Sequence, residues 1–131
     1  MILLGRDYYT NICMKKIYHL STCDTNKRIL KELNLSDEFI KQDIKKESLS
    51  TEELEKMHEL SGSYEALFSK RARLYNERGL KNKNLKESDY KNLLLEHYTF
   101  LKRPVLIIGS EIFIGNSKNV VVSAKESINK F

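Results

Sequence analysis

The run from Lys16 to Leu33 constrains this chain more than any other stretch. Lys16-Ile17-Tyr18-His19-Leu20 reads as a short apolar strand and Ser21-Thr22-Cys23-Asp24-Thr25 as a polar turn. Asn26-Lys27-Arg28-Ile29-Leu30-Lys31-Glu32-Leu33 then reads as a helix. After a break at Asn34-Leu35-Ser36, Glu38 to Ile44 alternates well enough for a second strand. A helix crossing between two strands of one sheet implies that the pair is parallel. The same turn sets Cys23 at the start of a helix. There the first backbone N–H groups, with Lys27 and Arg28 in the opening turn, favour a thiolate, the nucleophilic form of cysteine.

The middle of the chain is helical. Ser50-Thr51-Glu52-Glu53 matches a capping box, followed by Leu54, Met57 and Leu60 on one face, with a stop at Ser61-Gly62-Ser63. Residues 64 to 79 read as one or two short helices ended by Gly79, and a further helix runs from about Ser88 to His97. The period then changes. Pro104 to Ile108 and Ile112 to Ile114 are β-branched runs around Gly109-Ser110-Glu111, a hairpin signature. Val120, Ala124 and Ile128 share a helical face that Ser117 is placed to cap, so the last element is read as a helix. The order is β-α-β, several helices, then β-β-α. That is a thioredoxin-like α/β arrangement: a small mixed sheet flanked by helices, with an inserted helical region.

At 131 residues the chain suffices for one domain with its own core, assigned to residues 14–131. Residues 1–13 show no period and precede a second methionine, Met14. They read as an N-terminal extension, either an upstream-start artefact or a weakly ordered tail. Two cysteines cannot build a secreted-type disulfide framework, and no segment has the layout of a signal peptide, so a cytoplasmic location is expected. The longest nearly uncharged apolar run, Pro104 to Ile108, is far too short for a membrane span. The net charge of +5 is spread along the chain with no basic stripe interleaved with aromatics, so nucleic acid is not an expected partner; a monomer is. His19, Cys23, His58 and His97 show no zinc spacing, and no metal is expected.

Pro104 is the only proline and stands directly before the third strand. A proline at a strand start costs little. In a thioredoxin-type architecture the same place is held by a cis-proline that shapes the groove facing the active cysteine, and that reading is favoured here.

His19-Leu20-Ser21-Thr22-Cys23-Asp24-Thr25-Asn26-Lys27-Arg28, Leu101-Lys102-Arg103-Pro104-Val105-Leu106-Ile107, Ile114-Gly115 and the middle segment Ala66 to Arg71 carry a resemblance. Over residues 14 to about 128 the chain resembles the arsenate reductase family that also includes the Spx-type regulators. The resemblance implies a thiol redox protein with no bound cofactor. Its cysteine attacks a small oxyanion or a mixed disulfide and is regenerated by glutathione and glutaredoxin, or by thioredoxin. Cys23 matches the family nucleophile, His19 a histidine four residues before it, and Arg103 the oxyanion-binding arginine before the family proline. Thr25, Lys27, Arg28 and Arg71 join them as candidates for binding the anion or stabilising the thiolate.

The sequence departs from the pattern in three places. Lys27 replaces one arginine, Ser69 another, and Ile114-Gly115-Asn116 stands where a third is carried. Asn26 occupies the second position of the Cys-x-x-Cys pair used by Spx-type switches, so a disulfide at that spacing cannot form. Cys13 precedes the strand that Cys23 follows and is too far along an extended chain to replace it. The residues therefore favour a single-cysteine oxidoreductase, with a non-catalytic Spx-like regulatory or protein-binding module as the alternative.

Overall fold

A computed structural model describes residues 14–130 in two compact units. One comprises residues 14–43 together with residues 103–130; the other is Ile44–Lys102. Cys13 and the proposed extension, residues 1–13, lie outside the described residues.

The first unit is built on a mixed four-stranded sheet of order β2-β1-β3-β4. Strands β1 (Lys15–His19) and β2 (Ile40–Asp43) run parallel, with Ile17 opposite Lys41 and His19 opposite Asp43. The crossover between them is α1 (Asp24–Leu33), so the expected parallel β-α-β unit is present, with the helix starting two residues earlier and β2 shorter than the sequence suggested. β3 (Val105–Ile108) pairs antiparallel with β1, and β4 (Glu111–Ile114) antiparallel with β3 across the Gly109-Ser110 turn. Gly109 supplies the positive φ of 59° that the turn needs.

α1 and the last helix, α5 (Lys118–Lys130), bury their apolar stripes with one face of the sheet. Ile29 and Leu33 cluster with Val121, Ala124, Ile17, Leu106 and Ile108. Ser117 caps α5 as expected, its Oγ accepting the Val120 N–H at 3.2 Å. Of the expected face, Ala124 is buried, Ile128 is partly buried against the same cluster and Val120 is partly exposed, while Val121 and Ser127 are the further buried positions of α5. Ser127 Oγ donates to Glu111 Oε1 at 2.7 Å, which satisfies this buried hydroxyl. α1 ends on Asn34, which adopts φ 49° and donates its N–H to the Leu30 carbonyl at 3.2 Å.

The second unit contains α2 (Thr51–Ser61), α3 (Arg73–Glu77), α4 (Glu87–Glu96) and single 3₁₀ turns at Glu65–Leu67, Leu80–Asn82 and Tyr98–Phe100. The capping box is complete: Ser50 Oγ accepts from Glu53 N and Glu53 Oε1 from Ser50 N, both at 3.0 Å. Gly62 ends α2 at φ 82°. Leu54, Met57, Leu67 and Leu94 are buried in this unit, and Phe68 stacks on Phe100 with ring centroids 5.2 Å apart.

Candidate active site

The turn from β1 into α1 is held by three hydrogen-bonded contacts that converge on Cys23. The Cys23 N–H donates to the Leu20 carbonyl at 3.1 Å, closing a tight turn. The Leu20 N–H donates to Asn26 Oδ1 at 2.9 Å, so a side chain from the first turn of the helix reaches back to the strand. Ser21 is fixed by Asp43, the last residue of β2: its N–H donates to Oδ1 at 3.3 Å and its hydroxyl donates to Oδ2. Leu20, Ser21 and Cys23 thus have their backbone positions set by the sheet and the helix together.

Cys23 is the N-cap of α1, with extended backbone angles (φ −98°, ψ 117°) and no hydrogen bond from its side chain to the helix. Its carbonyl accepts the first helical bond, from Lys27 N at 3.0 Å. The amides of Asp24, Thr25 and Asn26 therefore precede the first bond of the helical ladder and lie around the N-cap side chain. The thiol is free and half-buried. A helix N-terminus carries the positive end of the peptide dipoles, which suits a sulfur that must hold negative charge.

The cis-proline expectation is met: the Arg103–Pro104 peptide bond is cis. Because Tyr18 pairs with Val105, this bond lies at the carboxyl end of β1, the end from which the Cys23 turn departs. Pro104 is buried, and its carbonyl accepts from Gly115 N at 2.9 Å. Gly115 has φ 92°, a backbone conformation that favours glycine, so the Ile114-Gly115 pair serves to close β4 onto the proline.

The other candidates divide by exposure. Thr25 is half-buried in the first turn of α1. Lys27 and Arg28 are exposed, with Lys27 Nζ 3.9 Å from Asp24 Oδ1. Arg103 is half-buried and engaged elsewhere, while its Nε is buried and donates to nothing among the described residues. His19 ends β1 with a buried, unbonded Nδ1. Burial pushes its imidazole below the ordinary value; Asp43 opposes that shift in part and Lys41 adds to it. Arg71 belongs to the second unit, where it is exposed in the turn before α3. Lys70 and Arg71 are therefore not on a helix face, as the sequence suggested; Lys70 instead meets Glu65 at 2.7 Å and holds that carboxyl below the usual carboxylate range.

Three residues escaped the sequence reading as parts of the site. Asn26 stands in the sequence at the helix start and at the position of a second cysteine, yet its role comes from the fold: it is fully buried and organises the turn. Its spacing with Ile29 and Leu33 along one helical face was the available signal. Gly115 has a signal only as part of the Ile114-Gly115 motif, and Asp43 has none, since both roles depend on register between strands distant in sequence.

The ArsC family model matches residues 18–123, which run from the end of β1 through the cysteine turn, the helical insertion and the hairpin into α5. The chain belongs to the ArsC family. Solved structures agree on the fold. An arsenate reductase from Vibrio cholerae is similar with a TM-score of 0.69 at 20% identity, over 85% of this chain and 98% of its own. An ArsC-family-related protein from Bacteroides fragilis gives 0.69 at 22% identity, over 86% and 98%. An arsenate reductase (ArsC) related protein from Brucella melitensis gives 0.63 at 22%, over 81% and 89%. No curated protein matches this chain. Membership of the ArsC family brings a thioredoxin-like fold and thiol-based redox chemistry without a bound cofactor. Among the described residues no helix is long and apolar enough to cross a membrane.

Proposed function

We propose that this ArsC-family protein is a single-cysteine thiol oxidoreductase with Cys23 as its nucleophile. The observation that carries this reading is the position of the thiol. It is a half-exposed N-cap without a capping bond, at the sheet end that also holds the cis Arg103–Pro104 bond. In the first step the Cys23 thiolate attacks a mixed disulfide, releasing the other sulfur as a thiolate, or attacks the central atom of a small oxyanion, from which hydroxide leaves. With a disulfide substrate, an external thiol then attacks the mixed disulfide on Cys23, forming an external disulfide and releasing the Cys23 thiolate. With an oxyanion, a first external thiol attacks the Cys23 sulfur, the reduced oxyanion leaves with the electron pair of the bond to sulfur, and a second thiol resolves the resulting mixed disulfide in the same way.

Arg103 offers the bidentate donor geometry suited to an oxyanion, and Lys27 and Arg28 add positive charge at the helix start. Thr25 and His19 line the turn as polar neighbours, while Arg71 is carried by the family resemblance alone. Pro104 shapes the groove. Glutathione with glutaredoxin, or thioredoxin, is the reductant, and the protein works as a cytoplasmic monomer. Asn26 in place of a second cysteine supports an external rather than an internal resolving thiol.

The test is a coupled NADPH-oxidation assay with glutathione and glutaredoxin, offering arsenate beside a mixed-disulfide substrate, for the wild type and Cys23→Ser. Turnover lost in Cys23→Ser is expected. Turnover of the disulfide alone would remove arsenate as substrate and keep the redox role. Iodoacetamide labelling of Cys23 no faster than that of a model thiol near neutral pH would sink the activated-nucleophile reading.

A further inference from the structure

Asn26 has a second half that the loop does not use. Its side chain is fully buried; Oδ1 accepts from Leu20 N, but Nδ2 has no hydrogen-bond partner among the described residues. A buried amide donor left unpaired costs roughly as much as a lost hydrogen bond, so its persistence asks for a reason.

The local bonding indicates which acceptor is within reach. Cys23 is the N-cap and Asn26 the third helical residue, the two positions that a capping box links by side chain to backbone. Here both are tied to the same residue: Cys23 N–H to the Leu20 carbonyl, and Asn26 Oδ1 to the Leu20 N–H. The carboxamide is planar, so the bond from the Leu20 N–H to Oδ1 also restricts where Nδ2 can lie. The Leu20 carbonyl is already occupied by the Cys23 amide. The sulfur of Cys23 is the remaining acceptor on the N-cap side chain. A neutral thiol is a weak acceptor, whereas a thiolate takes charge-assisted hydrogen bonds.

We infer that Asn26 is a positioning residue for the Cys23 thiolate: its Oδ1 locks the turn and its Nδ2–H donates to Sγ once the thiol has lost its proton to solvent. The contact requires rotation about the Cys23 Cα–Cβ bond, since Nδ2 has no acceptor within hydrogen-bond reach among the described residues. The inference rests on Cys23 being the nucleophile. It gives the residue at the usual resolving-cysteine position a function of its own, replacing intramolecular disulfide capture by stabilisation of the attacking form.

The experiment is the pH dependence of iodoacetamide labelling, measured on the full chain in a Cys13→Ser background so that Cys23 is its sole thiol. Asn26→Leu keeps the bulk and removes the donor. Asn26→Asp keeps an acceptor for the Leu20 N–H and replaces Nδ2 by a carboxylate oxygen, so it carries the test where the leucine variant fails to fold. At pH 6 both are expected to label about tenfold or more slowly than the Asn26 protein, the factor that a hydrogen bond to a charged group supplies. At strongly alkaline pH, where every thiol is ionised, the rates should converge. Profiles that superimpose on that of the Asn26 protein, or a loss that is uniform across pH, would overturn the inference. An Asn26 protein that itself labels like a model thiol at every pH would instead remove the nucleophile reading on which it rests.

Discussion

Ser21 and Asp43 are joined twice, hydroxyl to Oδ2 and N–H to Oδ1. Ser21 stands two residues before the candidate nucleophile, and Asp43 ends the strand next to the one that delivers it. The link makes the end of β2 a fixed reference for the cysteine turn. Asp43→Ala leaves the Ser21 amide and hydroxyl without this acceptor. It should destabilise the protein by about 1–3 kcal/mol, the range for hydrogen bonds to a charged group in a part-buried setting. Urea unfolding followed by circular dichroism measures this; an unchanged midpoint would show that the turn holds without its anchor.

His19 gives the stability a pH dependence of known sign. Burial lowers the folded-state value below 6.5, so in the acid range the unfolded chain binds the proton more readily than the folded one. The stabilising contribution is complete above 6.5, declines as pH falls below it, and is gone beneath the folded value. Unfolding midpoints recorded from pH 8 to pH 5 should fall more steeply for the wild type than for His19→Asn. Parallel curves would contradict the assignment.

Ile29 joins α1 to α5 and the sheet in a single cluster. It is 1% exposed, so Ile29→Ala opens a cavity directly beneath the helix that Cys23 caps. A loss of about 2–5 kcal/mol is expected from chemical denaturation, as for other buried isoleucine truncations.

Arg103→Lys separates anion recognition from thiol reactivity. A lysine keeps the positive charge and loses the planar fork, so the KM for an anionic substrate should rise about tenfold. The rate of Cys23 labelling by neutral iodoacetamide should change little. Equal losses in both readouts would mean that the arginine acts on the turn rather than on the substrate.

The strand-helix-strand opening was legible because both periods are strong: Ile17 and Ile29 stand where a sheet face and a helix stripe need them. The Ser50–Glu53 box and the Ser117 cap were legible because capping is local chemistry between residues three apart. The position of Cys23 at the head of α1 and the cis Arg103–Pro104 bond were legible from element order. What could not be read were contacts made by register. The pairing of Ser21 with Asp43 and of Gly115 with Pro104 arises only once β2, β1, β3 and β4 lie side by side. The burial of Asn26 was hidden for another reason. Asparagine is usually a surface residue, and the bond to Leu20 that offsets its desolvation is invisible until the turn is closed.

The sheet order also bears on how far this protein can be trimmed. β2 ends and β3 begins at the same edge of the sheet, separated by β1, so their adjoining ends are two strand spacings apart, about 10 Å. A miniaturised redox domain that joined Asp43 straight to Arg103 with a short linker would have to cross the carboxyl end of β1. That is where the Leu20–Cys23 turn emerges, and the splice would lie over the thiol it was meant to preserve.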